Sequence, residues 1–133
     1  MEKLKIKTIT TNKNVLMKQV PGFERYYVSS TGDRVYDRID RKNLYIYQDE
    51  LGYQWVYNIW SDEGVKLAQY PIHRLVALTF CYDYKFDKCN IVHHIDENPS
   101  NNDKSNLIWV DRDTHWWIHN YLYKNNFRIT STI

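Results

Sequence analysis

Residues 1–70 carry an alternation of apolar and polar side chains, the pattern of strands that bury one face. Clusters of Gly, Asp and Ser interrupt this alternation near positions 30–33, 49–52 and 62–64, and such residues favour the tight turns of hairpins. The first half of the chain is therefore predicted to be a series of antiparallel β hairpins. One strand face is expected to be formed by alternate residues, namely Tyr53, Trp55, Tyr57 and Ile59.

The period of the pattern changes after Pro71. Ile72, Val76 and Phe80 recur every four residues, and this spacing places the three side chains on one face of an α-helix. Leu75 and Leu78 widen this apolar side, as expected for a helix that packs in a core. A short buried helix is therefore predicted to follow the hairpins.

The remaining pattern predicts strand, loop, strand and helix. Residues 90–95 and 107–110 are segments of strand length that contain Ile, Val and Leu, and a polar stretch rich in Asn separates them. Asp111 then provides an N-cap, because its carboxylate can accept hydrogen bonds from the free backbone N–H groups of a first helical turn. We expect this helix to continue to about residue 123. The expected fold class is α+β, with N-terminal antiparallel β hairpins followed by a helix and a ββα unit.

Composition changes this picture little. The 133 residues include 18 Lys and Arg against 16 Asp and Glu, a net charge of +2, so any nucleic-acid contact would depend on local basic patches. No apolar run approaches the roughly 20 residues that span a bilayer, and two cysteines do not make a disulfide framework. These features favour a soluble protein of a reducing compartment. The densest basic group, for which phosphate contact and plain solubility are equally open interpretations, is Arg34, Arg38, Arg41 and Lys42.

Four of the five histidines lie between positions 93 and 119, and histidine is both a common metal ligand and a good proton acceptor near neutral pH. His93 and His94 are neighbours on a strand, so their side chains project to opposite faces, and one can hold metal while the other handles a proton. His115 and His119 are four residues apart on the predicted helix and share one face. With His93 they would give three ligands and leave positions open for water or a phosphate oxygen. His73 is expected to be structural, packing near the hairpin.

Several motifs in this region carry a family resemblance. The sequence Ile-Val-His-His-Ile-Asp-Glu-Asn at 91–98, the asparagine pair at 101–102 and the sequence Asn-Leu-Ile-Trp-Val at 106–110 resemble the HNH nucleases, whose metal site is a two-stranded hairpin followed by a helix. Residues 72–80 are similar to the helix that precedes this site in phage and intron homing endonucleases. Residues 21–32 are similar to a small N-terminal module often fused to those enzymes.

The resemblance implies a role for each polar residue of the site. His94 matches the general base of the family, Asn106 the asparagine that orients that base, and His115 a metal ligand on the helix. His93 falls where the family has its other ligand, and the additional His119 resembles a helix ligand of bacterial toxin DNases in the same superfamily. The implied cofactor is one divalent metal ion, Mg²⁺ or Mn²⁺ with Zn²⁺ as an alternative. The implied reaction is hydrolysis of a phosphodiester.

The resemblance also implies an organisation and a setting. Residues 1–70 would form a β-rich lobe that contacts DNA through the basic group, residues 71–124 the ββα-metal nuclease core, and residues 125–133 a tail. Double-stranded DNA is the implied partner, and the cytoplasm of a bacterial host, with the protein encoded by a phage, is the implied location. Glu97 stands where the family usually has Gly, and this difference bears on the turn that begins the loop.

A rival interpretation is a zinc-stabilised module that binds DNA or protein without catalysis. Its ligands would be spaced as C-x3-H and H-x3-H, a set that could close a tetrahedral zinc site. Those ligands are Cys89, His93, His115 and His119. This interpretation leaves His94 and Asn106 without a role, whereas the nuclease interpretation uses both.

Overall fold

The computed structural model describes residues 8–12, 15–81 and 90–118. Eight strands precede the first helix in this part of the chain: β1 (Thr8–Asn12), β2 (Val15–Val20), β3 (Phe23–Ser29), β4 (Val35–Asp37), β5 (Lys42–Asn43), β6 (Tyr47–Gln48), β7 (Gln54–Trp60) and β8 (Lys66–Pro71). They are followed by helix α1 (Ile72–Phe80), β9 (Ile91–His94), a 3₁₀ turn (Lys104–Asn106), β10 (Leu107–Val110) and helix α2 (Arg112–Trp117). The predicted α+β class is confirmed.

The strands pair with their neighbours in sequence, as expected for hairpins joined by short turns. β1 to β5 form one antiparallel sheet in chain order, β6 to β8 form a second, and β9 pairs with β10. Tyr27 lies opposite Tyr36 in the first sheet, and Trp55 lies opposite Pro71 in the second. Among the described residues, no helix is long and apolar enough to cross a membrane.

The face predicted for β7 is wrong. Val56 and Ile59 are fully buried, whereas Tyr57 is 40% exposed. Asn58 has a φ of 58°, a left-handed conformation that Asn adopts more readily than most residues. Because this residue departs from the extended conformation, strict alternation fails within the strand, and the two buried side chains are three residues apart.

Helix α1 occupies the centre of the core. Ile72, Leu75 and Val76 are fully buried, and each such side chain contributes about 1.5–3 kcal/mol by leaving water. The helix contacts β2, β3, β7 and β8 of the N-terminal sheets as well as β9 and β10 of the ββα unit. Trp109 of β10 donates its indole N–H to the carbonyl of Ala77 at 3.3 Å. One hydrophobic core therefore joins the hairpins of the first half to the ββα unit.

The loop between β9 and β10 rests against the first half of the chain. Lys104 donates its backbone N–H to the carbonyl of Ser30 at 2.8 Å, and Ser100 donates its hydroxyl to the carbonyl of Gly52 at 2.7 Å. Two turns, one from each N-terminal sheet, thus hold the loop from behind. We call residues 96–106 the β9–β10 loop.

Gly32 lies in close contact with the β9–β10 loop. It has a φ of 75°, and a Cβ built there would lie 2.6 Å from Cβ of Asn102 and 3.3 Å from Cγ2 of Ile72. An L-residue at this φ is itself strained by about 1–2 kcal/mol. Only glycine therefore satisfies both the turn and the contact with the loop.

We predict that Gly32→Ala lowers the free energy of unfolding by roughly 3 kcal/mol or more, because backbone strain and a collision with the loop add together. Gly64→Ala is the matched control, since Gly64 has a φ of 84° and open space around it. That control should lose only the strain, about 1–2 kcal/mol. Urea unfolding of both variants measures the difference, and equal losses would show that the loop contact is not tight.

Candidate metal and catalytic site

The pairing of β9 with β10 separates the two adjacent histidines. His93 lies opposite Ile108 and His94 opposite Leu107 in this antiparallel hairpin. Both imidazoles are buried, at 2% and 6% exposure. Because successive strand residues face opposite sides, they meet different neighbours. His93 contacts the ring of His115, and His94 contacts an imidazole of helix α1.

His93 and His115 form the candidate metal-binding pair. Their ring centroids are 5.4 Å apart and the ring planes meet at 72°. His115 is placed by the start of α2, where the carboxylate of Asp111 accepts the backbone N–H of Thr114 at 2.7 Å. The predicted N-cap is therefore present, and it fixes the helix turn that carries the second imidazole.

The donor set fits a divalent ion that keeps open positions. Two converging imidazoles are ordinary ligands for such an ion, with the remaining positions left to water or to a phosphate oxygen. Within the part of the chain that the structure describes, no group of three or more His, Cys, Asp or Glu side chains could hold a metal. His119 and Cys89, the other ligands considered from the sequence, lie outside the described residues.

His94 is held by an asparagine, but not by the one that the resemblance implies. Its Nε2 lies 2.8 Å from Oδ1 of Asn102. Burial lowers the pKa of His94 below its ordinary value, an effect opposed in part by the hydrogen bond with Asn102 and by the charge of Asp96. A neutral imidazole near pH 7 can accept a proton, as a general base must.

Asn106 holds the β9–β10 loop instead. Its amide oxygen accepts the backbone N–H of Asp96 at 3.0 Å, and its amide nitrogen donates to the Asp96 carboxylate at 2.9 Å and to the carbonyl of Asn101 at 2.8 Å. With its side chain so engaged, Asn106 closes the ends of the loop upon each other. The contact expected between Asn106 and His94 is replaced by the contact with Asn102.

The hydrogen bonds of the β9–β10 loop stabilise the ionised form of Asp96. Burial alone would raise the pKa of its carboxyl group. Hydrogen bonds donated by the side chain of Asn101, the backbone of Asn98 and the side chain of Asn106 outweigh burial and lower that pKa. The carboxylate is therefore ionised at neutral pH, and it provides a fixed negative charge at the end of strand β9.

Glu97 adopts a backbone conformation that favours glycine. Its φ is 63°, in the left-handed region that glycine adopts without strain. Its backbone N–H donates to the carbonyl of His94 at 3.0 Å. Glu97 therefore forms the turn directly after the histidine pair with some backbone strain.

A cavity of about 360 Å³ brings these groups together. Its lining includes all four described histidines together with apolar and acidic neighbours: Tyr53, His73, Ile91, Val92, His93, His94, Glu97, Pro99 and His115. The predicted proton acceptor and the two predicted metal ligands therefore line the same cavity. Such a concave site with perturbed titratable groups is the usual setting of catalysis.

His73 belongs to this cavity, a role that the sequence analysis missed. Its ring centroid is 4.7 Å from that of His94 and 5.9 Å from that of Tyr53. Burial, with smaller contributions from His94 and Arg74, lowers the pKa of His73 to about 4. Its buried Nδ1 has no hydrogen-bond partner among the described residues. The expected packing near the hairpin is observed, and it places a neutral imidazole against the candidate base.

The basic group lies on the hairpin formed by β4 and β5, away from the lining of the cavity. Arg34 donates from Nε to Oδ1 of Asn43 at 2.8 Å, and Arg38 donates from Nε to the carbonyl of Glu24 at 3.0 Å. Their neighbours in the group, Arg41 and Lys42, are exposed. The four cations therefore share one edge of the first sheet, and their contact with DNA stays a prediction.

Comparison with known proteins identifies relatives of this fold and site. No family model matches the chain. The DNA endonuclease I-HmuI of Bacillus phage SP01 is 37% identical over 94 residues, which cover 70% of this chain and 51% of that protein. An uncharacterised HNH endonuclease, L247, of Acanthamoeba polyphaga mimivirus is 32% identical over 102 residues, which cover 75% of this chain and 25% of that protein.

A solved structure gives the same result for the fold. The structure described as DNA binding and cleavage by the HNH homing endonuclease I-HmuI matches with a TM-score of 0.65 and 30% identity, covering 85% of this chain and 61% of the other. The resemblance to HNH endonucleases of the homing type is therefore confirmed in sequence and in fold. The chain spans about half of I-HmuI and a quarter of the mimivirus protein.

The lowered pKa of His73 predicts a dependence of stability on pH. Its pKa rises from about 4 in the folded chain to about 6.5 in the unfolded chain. The unfolded chain thus binds more protons between these values, and stability falls as the pH drops from 6.5 towards 4. The full loss attributable to His73 is on the order of 3 kcal/mol.

We therefore expect His73→Phe, which keeps an aromatic ring but does not titrate, to lose less stability than the parent between pH 7 and pH 5. Thermal melting of both proteins in chelator, so that bound metal does not contribute, measures the difference. Parallel melting curves at every pH would show that His73 does not bury its neutral form.

Proposed function

We propose that this chain is a metal-dependent DNA endonuclease that hydrolyses phosphodiester bonds; one relative, I-HmuI, is named a DNA endonuclease. The observation that supports this best is the arrangement of three histidines on the ββα unit. His93 and His115 converge on one side of strand β9, His94 stands on the other, and all three line one cavity. Two metal-binding histidines beside a neutral imidazole are the groups that metal-assisted hydrolysis requires.

His94 would accept the proton of a water molecule aimed at phosphorus. Its lowered pKa keeps the imidazole neutral, and burial excludes competing solvent. The β9–β10 loop holds the ring through Asn102, and Asn106 closes that loop. Loss of a positioned general base lowers the rate of such reactions by about 10²- to 10⁴-fold.

His93 and His115 would hold one divalent ion, with His119 as a further candidate ligand. When bound, such an ion supplies positive charge that stabilises the phosphate and the departing oxygen. Mg²⁺ and Mn²⁺ are the ions that we propose first, with Zn²⁺ as the alternative suited to imidazole ligands. The histidine pair itself contributes orientation, because burial and the capped helix fix both rings.

Double-stranded DNA is the proposed substrate, and the basic edge formed by Arg34, Arg38, Arg41 and Lys42 is the proposed phosphate contact. Guanidinium groups suit this role because they bind phosphate oxygens in a planar, bidentate geometry. We propose that the protein is a homing-type endonuclease, that a phage encodes it, and that it acts in the cytoplasm of the bacterial host. The support for this is the likeness to the homing endonuclease I-HmuI of a Bacillus phage.

The first test is cleavage of supercoiled plasmid in Mg²⁺, Mn²⁺ or Zn²⁺, with chelator and single-stranded circular DNA as controls. We expect nicked product from a single site, and His94→Ala should lower the rate by about 10²- to 10⁴-fold while metal binding and folding are retained. Intact plasmid with every ion, and intact DNA from the region flanking the gene, would refute the proposal.

A second variant separates the nuclease from a closed zinc module. Cys89→Ser should leave cleavage, metal affinity and melting temperature unchanged if the cysteine is not a ligand. Removing one of four structural zinc ligands would instead forfeit metal and fold together. Calorimetric metal titration and melting of Cys89→Ser beside His94→Ala distinguish these outcomes, and collapse of the cysteine variant would favour the zinc module.

DNA binding by the basic edge is tested in the His94→Ala background, where no cleavage intervenes. Replacing Arg34, Arg38 and Arg41 together by Ala should weaken binding and reduce the slope of log affinity against log salt by up to about 3. Replacing Lys3, Lys5 and Lys7 together removes the same charge and is the matched control. An equal effect of both triple variants would mean that net charge, and not this edge, governs binding.

A further inference from the structure

Asn102 lies between the candidate base and the first half of the chain. It is only 2% exposed. Its Oδ1 is 2.8 Å from Nε2 of His94, and its Nδ2 donates to Oε1 of Gln54 at 2.9 Å. Gln54 in turn donates from Nε2 to Oε1 of Gln48 at 3.1 Å. Three amides therefore form a hydrogen-bonded chain that starts on the second sheet and ends on the imidazole.

The chain of amides has a direction. An amide oxygen can only accept a hydrogen bond, and an amide nitrogen can only donate. Because Gln54 accepts from the nitrogen of Asn102, the oxygen of Asn102 faces His94. Nε2 of a neutral His94 must then carry the ring proton, which leaves the lone pair on Nδ1.

The opposite direction would have the opposite chemical result. If every amide were reversed, Asn102 would donate to Nε2, and the ring proton would sit on Nδ1. No described residue forms a hydrogen bond with Nδ1 of His94. A base that uses Nδ1 therefore needs the direction that Gln54 sets.

The backbone holds Asn102 in place as well. The turn at Gly32 packs so closely that a Cβ there would lie 3.0 Å from the carbonyl oxygen of Asn102. Two residues later, Lys104 donates its backbone N–H to Ser30. The amide of Asn102 is thus fixed by the first sheet through its backbone and by the second sheet through Gln54.

We propose that Asn102 and Gln54 are positioning residues that set the tautomer and the ring orientation of His94. This inference rests on the proposed function, in which the lone pair on Nδ1 receives the proton of water. The N-terminal sheets then have a part in catalysis that does not depend on touching DNA. Partners of this kind, which orient a functional histidine through its second nitrogen, typically change activity by 10- to 100-fold when they are removed.

The tautomer can be observed directly by two-bond ¹H–¹⁵N correlation spectra of the imidazole rings. Metal-free protein at about pH 8, well above the ordinary pKa of histidine, keeps the rings neutral. We expect the parent to show His94 protonated at Nε2. Gln54→Leu and Asn102→Ala should show mixed tautomers, whereas Gln54→Glu, which retains an acceptor for Asn102, should keep the parent form.

Kinetics on the same variants test the effect on the reaction. Asn102→Ala should lower kcat by about 10- to 100-fold with KM changed less than about twofold. Gln54→Leu should lower kcat in the same way by a smaller factor, and Gln54→Glu should restore it. Gln69→Leu, at an exposed glutamine of the adjacent strand β8, is the matched control and should behave as the parent.

Three results would overturn the proposal: a parent protonated at Nδ1, a Gln54→Leu protein with the parent tautomer and kcat, or a Gln54→Glu protein that matches Gln54→Leu. Should Asn102→Ala not fold, the two Gln54 variants decide the matter, because their side chain is only partly buried. A parent that cleaves no DNA would refute the proposed function, while the spectra would still decide whether the amides fix the ring.

Discussion

The structure depends on the fixation of the β9–β10 loop between two surfaces. In front, Asn106 ties the ends of the loop together through Asp96. Behind it, turns of the two N-terminal sheets accept hydrogen bonds from Ser100 and Lys104. A polar loop without regular pairing has little stability of its own, since its ordering entropy must be offset by such contacts. The position of the candidate base follows from these fixed points.

The pleat of strand β9 divides the chemistry between two sides. Adjacent histidines would compete for one ion if they lay on a loop, but strand geometry sends His93 towards His115 and His94 towards His73. The two candidate metal ligands thus lie on one side of the strand and the candidate base on the other, while both sides border the same cavity. Burial keeps His73 uncharged, so its ring adds no positive charge beside His94 to oppose the gain of a proton.

Most of the fold could be predicted from local pattern, because hairpins and the helix bury one face at a regular period. The failure in β7 has a local cause, since Asn58 leaves the extended region and shifts the buried positions. The histidine pair on β9 and the helix N-cap were also readable, as each depends on neighbours in sequence. Family resemblance supplied roles that periodicity could not.

The hydrogen-bond partner of His94 could not be predicted from the sequence in the same way. Asn102 and Gln54 are 48 residues apart in sequence, and loop residues have no period that would announce such a contact. The asparagine pair at 101–102 was visible as part of the motif, but nothing in the sequence distinguished the two. Asn101 binds Asp96, whereas Asn102 binds His94. Only the three-dimensional arrangement assigns one to the loop and the other to the base.

The close fit at Gly32 has a consequence for how the two halves of this chain can be recombined. Another β lobe cannot simply be exchanged for the first 70 residues, because the turn at Gly32 and the side chain of Gln54 are complementary to the β9–β10 loop. Evolution and engineering can instead vary the far edge of the first sheet, where Arg41 and Lys42 are exposed. Residues at the outer edge of the first sheet can therefore vary independently, whereas residues that contact the β9–β10 loop can change only together with it.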